Sequence, residues 1–189
     1  MGNVLAFIKH KSTLTEEMYY DYSKLTFLNM AEVHELHYLW RNCAPEVIDD
    51  DPMARLPYKA ILKIEQFKCN PFADRIIQHF SPYKDGSMNF DDFINMYSLL
   101  GAAETGEFRI FLVFQIFDDD EDGYLNCSDC IKIVKRLLKN DYLQNLELII
   151  VLQWLLREAD IDGDGRISFD EFSHMMHKSV FFTRTWRLI

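Results

Sequence analysis

The sequence predicts an all-α protein of four helix-loop-helix units paired in two lobes, with the first two units degenerate and a helical extension at the C-terminus. Three observations carry this. The 189 residues include 15 Phe and 8 Met but only 7 Gly and 5 Pro, so turn formers are few and helix-compatible apolar side chains many. Twelve-residue polar loops start at 81, 118 and 160, a repeat of 37 and then 42 residues, and each lies between apolar stripes of helical period. The net charge of −10 is confined to two of these loops: residues 118–129 hold six acids and no base, and residues 160–171 hold five acids and Arg166. The rest of the chain is neutral in sum, so the acids read as two cation sites rather than a solubilising surface.

The length fits one large domain or two small ones and is enough to bury a core. With 49% hydrophobic and 14% aromatic residues, intrinsic disorder is excluded. Nucleic acid is excluded as a partner, because no basic excess exists to neutralise phosphates.

The elements follow in order. Residues 1–28 form an N-terminal extension in which Thr13 and Glu16 make a capping box for a short helix to about Lys24. The N-terminal pair of units, residues 29–101, opens with the same device at Asn29 and Glu32. Its first helix runs to about Asn42 on the stripe Val33, Leu36, Trp40 and Cys43. Residues 43–56, with Pro45, Pro52 and three consecutive Asp, read as loop. Pro57 starts a short helix through Ile61, Leu62 and Ile64. Asn70-Pro71 supplies an N-cap and a first helical residue for the stripe Phe72, Ile76, Ile77 and Phe80. A helix from about Phe90 to Leu100 ends the pair. The C-terminal pair, residues 105–178, starts at Thr105-Gly106 and runs into Phe108, Phe111, Leu112, Phe114 and Phe117. After the first acidic loop come helices at about 127–139 and 145–158. The helix after the second acidic loop is lined by Phe169, Phe172, Met175 and Met176. Residues 179–189 form an apolar tail. Within the loops, Met88, Leu125 and Ile167 each stand at position eight, where single residues can pair two loops into a small sheet.

The loop chemistry is specific. Asp160-x-Asp162-x-Asp164-Gly165-x-Ile167-Ser168-x-x-Glu171 has an EF-hand residue at every diagnostic position. Calcium takes six to eight hard oxygens. Asp160, Asp162 and Asp164 offer carboxylates from alternate positions, Gly165 makes the turn, and the Arg166 carbonyl adds a fourth ligand. Ser168 acts directly or through water, and Glu171 closes the cage bidentately. Residues 118–129 repeat the frame with Asp118, Asp120, Asp122, the Tyr124 carbonyl and Asn126, but close it with Asp129. Asp is one methylene shorter than Glu, which favours a six-ligand site suited to octahedral magnesium. Calcium is therefore expected in both loops, with magnesium at 118–129 when calcium is low. Residues 81–92 keep Asp85, Gly86, Met88, Asn89 and Asp92, but Ser81 and Tyr83 occupy the first and third positions, so no metal is expected there. The connector of the first unit has no alternate-position ligands and no Gly.

Other chemistry is sparse. Cys43, Cys69, Cys127 and Cys130 read as free thiols in a reducing cytosol, since Cys127-x-x-Cys130 has no second pair at zinc spacing. His34 with His37, and His174 with His177, lack a third ligand. No signal-peptide core is visible, and the densest apolar run, 146–156, is too short to span a bilayer. No nucleophile elbow, phosphate-cradling glycine loop or carboxylate pair outside the metal loops supports an enzyme.

Several motifs belong together: Leu25-Thr26-Phe27-Leu28, Cys43-Ala44-Pro45, Asn70-Pro71-Phe72-x-x-Arg75-Ile76 followed by Phe80-Ser81, and Met88-Asn89-Phe90-x-Asp92-Phe93. Asp129 at position twelve, Glu158-Ala159-Asp160, and Phe182-x-x-Thr185-x-x-x-Leu188-Ile189 complete the set. In combination they resemble the calcium- and integrin-binding proteins. The resemblance spans essentially the whole chain. It implies a small intracellular adaptor that carries metal on its third and fourth hands. Its partners would be helical cytoplasmic segments of membrane proteins, such as integrin alpha tails or transmembrane channel-like proteins. It also makes Gly2 a candidate for myristoylation, although Ala6 stands where Ser or Thr is preferred. The expected location is the cytoplasm, peripheral to the inner face of the plasma membrane through the partner or a lipid, and a monomer is expected.

An amphipathic helix fits an apolar groove between paired hands. Candidate walls are Phe111, Phe114, Ile133, Leu137, Leu152, Leu155, Met175 and Met176. The tail, with Phe181, Phe182, Trp186 and Leu188, is expected to pack on that groove and compete with the partner. A calcineurin B-like regulatory subunit and a plain calcium buffer are the competing functions. Two hands without ligands argue against a buffer, which gains from every site.

Overall fold

A computed structural model describes residues 14–102, 106–138 and 145–178. Thr13, Gly2 and the tail from 179 lie outside the described residues. The chain divides into two compact units, one ending at Ala102 and the other following it.

In the first unit, α1 (Glu16–Leu25) is capped by Thr15, whose Oγ1 accepts the Met18 N–H at 3.3 Å; the expected cap, Thr13, lies two residues upstream of it. Helix α1 is tied to the unit by polar contacts as well as burial. The Tyr19 hydroxyl hydrogen-bonds His37 Nδ1 at 2.6 Å, the Tyr22 hydroxyl donates to Asp91, and the Phe27 N–H donates to Ser98 Oγ at 3.0 Å.

Helix α2 (Met30–Cys43) opens with the capping box expected from sequence. The Glu32 N–H donates to Asn29 Oδ1 at 3.1 Å, and the Asn29 N–H donates to Glu32 Oε2 at 2.7 Å. Its stripe of Val33, Leu36, Trp40 and Cys43 is buried throughout.

Two departures follow. Residues 43–56, expected as loop, contain α3 (Pro45–Asp50). Pro45 is pre-set for a first helical turn, and Ile48, fully buried, anchors it. Arg41 grips Asp49 through Nε at 2.5 Å and Nη2 at 2.8 Å, so the aspartate run is not simply solvated. Second, the single helix expected after Pro57 is two short ones, α4 (Tyr58–Ile61) and α5 (Glu65–Lys68), with Pro57 as N-cap. Ile64 is extended between them, and the break lets Ile61, Ile64 and Phe67 all face the core.

Helix α6 (Ala73–Phe80) starts two residues later than the Asn70-Pro71 signal suggests. Asn70 Oδ1 accepts the Phe72 N–H at 2.9 Å, which closes a turn ahead of the helix. Helix α7 (Phe90–Ala102) completes the unit. A strand pair crosses its loops: β1 (Leu56–Pro57) and β2 (Ser87–Met88) run antiparallel with Leu56 opposite Met88. Met88 was expected to pair; Leu56, on a loop without ligands, was not. The core below is aromatic, with Trp40 and Phe93 ring centroids 4.9 Å apart and Phe93 and Tyr97 at 4.8 Å.

The second unit comprises α8 (Gly106–Phe117), β3 (Tyr124–Leu125), α9 (Cys127–Leu138), α10 (Asn145–Ala159), β4 (Ile167–Ser168) and α11 (Phe169–Lys178). Leu125 pairs with Ile167, as their position-eight placement predicted. Phe114 packs at 5.5 Å on both Phe169 and Phe172. Among the described residues, no helix is long and apolar enough to cross a membrane.

Candidate metal centre

Each acidic loop is bent at two positions that take left-handed backbone. In the fourth loop these are Gly163 and Gly165, at φ 78° and 82°; in the third they are Glu121 and Gly123, at 57° and 85°. At position six the residue is Gly, which reaches this region without a Cβ penalty.

The bend aims backbone N–H groups at the carboxylates. Asp118 accepts from Asp122 N at 3.2 Å and Gly123 N at 2.9 Å; Asp160 accepts from Gly163 N at 2.7 Å and Gly165 N at 2.9 Å. Position nine caps the helix that follows, with position twelve as its partner. The Asn126 N–H donates to Asp129 Oδ2 at 3.1 Å, and the Ser168 N–H donates to Glu171 Oε2 at 2.8 Å. Asn126 and Ser168, read as ligands through water, therefore have a structural task as well. Asn126 also donates from Nδ2 to Asp120 at 3.3 Å.

Carboxylate oxygens of Asp118, Asp120 and Asp129 lie within 4.8 Å of one another, and those of Asp160, Asp162 and Asp164 do the same. In the third loop, burial and the neighbouring carboxylates act in the same direction on Asp118 and Asp129. Asp118 and Asp129 are 2% and 1% exposed, and loss of solvent pushes both carboxyls above their usual range. Among the described residues, Asp129 Oδ1 is buried with no hydrogen-bond partner, a lone pair that a cation would satisfy. The donors are all hard oxygens, which fit calcium or magnesium better than zinc.

Asp122 lies outside the third-loop group and accepts the Tyr124 N–H at 2.9 Å. Glu171 lies outside the fourth-loop group. Its Oε2 accepts from the Ser168 amide and hydroxyl, and its Oε1 from the Ile161 N–H at 2.7 Å. These bonds, the Ser168 amide first, hold its carboxyl down to about 2. Tyr124 and Arg166 meet through their side chains, with the guanidinium 4.5 Å from the ring centroid. Sequence reasoning missed Lys132, whose Nζ reaches Asp119 Oδ2 at 2.5 Å from the following helix. Thirteen residues separate the two, and no local pattern links them.

The eight candidate groove residues divide. Phe114 and Leu152 are buried in the core and are not available as walls. Phe111 and Leu137 are exposed, while Ile133, Leu155, Met175 and Met176 are half-buried. Large apolar side chains that were not assigned to the groove are also exposed, among them Leu138, Ile149, Ile150 and Trp154. Cys127 is exposed, Cys130 is buried, and both are free.

The family model for an EF-hand domain pair matches residues 107–177, the two acidic loops with their helices. Over 184 residues the chain is 30% identical to calcium and integrin-binding family member 2 of Mus musculus, covering 95% of this chain and 98% of the relative. The chain belongs to the calcium and integrin-binding family. Family member 3 of Homo sapiens is 30% identical over 182 residues, 94% of this chain and 97% of its own length. Family member 2 of Drosophila melanogaster is 28% identical over 182 residues, 93% and 96% respectively. The relatives are named for binding calcium and integrin, and the matched family model is that of an EF-hand domain pair.

Proposed function

We propose that the chain is a calcium- and magnesium-binding intracellular adaptor. It takes up an amphipathic helical cytoplasmic segment of a membrane protein, an integrin alpha tail or a transmembrane channel-like protein, in an apolar groove of its second unit. The observation that carries this is the pairing of two oxygen-only acidic clusters with apolar side chains left in solvent on the adjoining helices, Phe111 on α8 and Leu137 on α9. Such side chains support a binding surface where they join into one apolar patch, and Leu138, Ile149, Ile150 and Trp154 of the same unit are exposed as well. The names of the relatives include integrin binding. Membrane association would follow from the partner, or from a myristate on Gly2.

The test is titration of a synthetic integrin alpha tail peptide, and separately a transmembrane channel-like peptide, into the full chain with calcium, with magnesium and with EDTA. Binding of at least one peptide should weaken tenfold or more in EDTA, and Leu137→Asp should weaken it similarly. Equal binding by Leu137→Asp and the unsubstituted protein would remove the groove from the proposal.

In this reading the third loop holds magnesium at millimolar concentration, because the short Asp129 side chain closes it. Asp129→Glu should add an oxygen and raise calcium affinity relative to magnesium by roughly tenfold. Calorimetry with each ion gives the ratio. An unchanged ratio would show that Asp129 does not set the selectivity.

A further inference from the structure

The second loop, residues 81–92, has the backbone of a metal loop. Lys84 and Gly86 sit at φ 55° and 70°, at the same two positions as the left-handed residues of the third and fourth loops. Asp85 Oδ1 accepts the Ser87 N–H at 2.9 Å, just as Asp122 accepts from Tyr124 at 2.9 Å and Asp164 from Arg166 at 2.8 Å. Asn89 and Asp92 exchange the reciprocal bonds that Asn126 and Asp129 exchange. The loop keeps this backbone although Tyr83, 73% exposed, stands at the third position, where a ligand would.

A positive charge is nevertheless present. Arg55, the residue before β1, donates from Nη2 to Asp85 Oδ1 at 2.9 Å and to the Ser87 carbonyl at 2.6 Å. These oxygens belong to loop positions five and seven, the counterparts of the Asp164 carboxylate and the Arg166 carbonyl in the fourth loop. Ser81 Oγ, at position one, lies 3.0 Å and 2.9 Å from the same two oxygens. The Tyr83 ring packs on the guanidinium, whose carbon is 4.5 Å from the ring centroid.

We propose that Arg55 is the resident cation of the second loop, its guanidinium standing where a metal ion would act and holding the loop in shape at every calcium concentration. The first hand supplies this cation to the second through the strand pair, since Arg55 immediately precedes Leu56, the partner of Met88. A cation on the chain cannot dissociate, so the first unit is a constant scaffold and the metal response is confined to the second. An ordinary ion pair exposed to this degree, 35% for Arg55 and 48% for Asp85, would contribute little. The proposal requires more than that, because one guanidinium serves a carboxylate, a carbonyl and a ring together.

Amide hydrogen exchange of the full chain tests it, with Arg55→Met, Arg55→Lys, Asp85→Asn and the Arg55→Met/Asp85→Asn double variant. In the unsubstituted protein, amides of 81–88 should exchange equally in EDTA and in calcium. In EDTA, Arg55→Met should speed their exchange roughly tenfold, leave amides of 160–171 unchanged, and lose nothing further when combined with Asp85→Asn. Arg55→Lys should restore only part of the protection, since an ammonium lacks the planar fork. Exchange in Arg55→Met within twofold of the unsubstituted protein would overturn the proposal, as would loop protection that appears only on adding calcium. Should Arg55→Met fail to fold, Arg55→Gln, which removes the charge and keeps a hydrogen-bond donor, carries the test: severalfold faster exchange at 81–88 supports the proposal, and unchanged exchange sinks it.

Discussion

Glu171→Gln should abolish the high-affinity calcium event of the second unit. Glu171 is the residue whose length allows two oxygens to close the fourth loop. In the present arrangement those oxygens are spread over the amides of Ser168, Ile161 and Asp162. Ser168 caps α11, and Gln at the same position can still accept from its amide. The substitution thus removes charge and bidentate closure while leaving the helix start intact. Calorimetry should show affinity lower by at least 100-fold, about 2.7 kcal/mol, with circular dichroism unchanged. Asp129→Ala should leave the high-affinity event in place. The reverse pattern, loss with Asp129→Ala and retention with Glu171→Gln, would make the third loop the stronger site.

Trp40→Ala should cost the first unit about 3–5 kcal/mol. Trp40 is fully buried on α2, with its ring against both Phe90 and Phe93 of α7, and the deletion leaves a large void among aromatic side chains. That loss is comparable with the whole stability of a marginal domain. Urea denaturation followed by near-ultraviolet dichroism measures it. A loss under about 1 kcal/mol would mean that the aromatic cluster can collapse around the gap. Calcium binding by the second unit should survive at low denaturant.

The metal loops were legible because their information is local. Twelve consecutive residues carry the carboxylates, the glycine of the turn and the cap of the next helix, so Asp118, Asp120 and Asp129 come together as their spacing requires. The Asn29 capping box and the Leu125–Ile167 pairing were legible for the same reason. The groove was less so. Helical spacing put Phe111, Phe114 and Leu152 on apolar stripes alike, and only packing separated the exposed Phe111 from the buried Phe114 and Leu152. The break between α4 and α5 was likewise hidden, because continuing one helix would satisfy local preference as well.

By itself the sequence determined the all-α class, the position of both acidic loops, and the family. Each of these rests on residue type and spacing within a segment, where backbone geometry allows few alternatives. Tertiary structure decided the rest. Leu56 became a strand residue opposite Met88, Arg55 reached Asp85 across 30 residues, and Lys132 reached Asp119 from the next helix. A partner distant in the chain is selected by which surfaces meet on folding, and that choice depends on the fit of the whole core rather than on any local pattern.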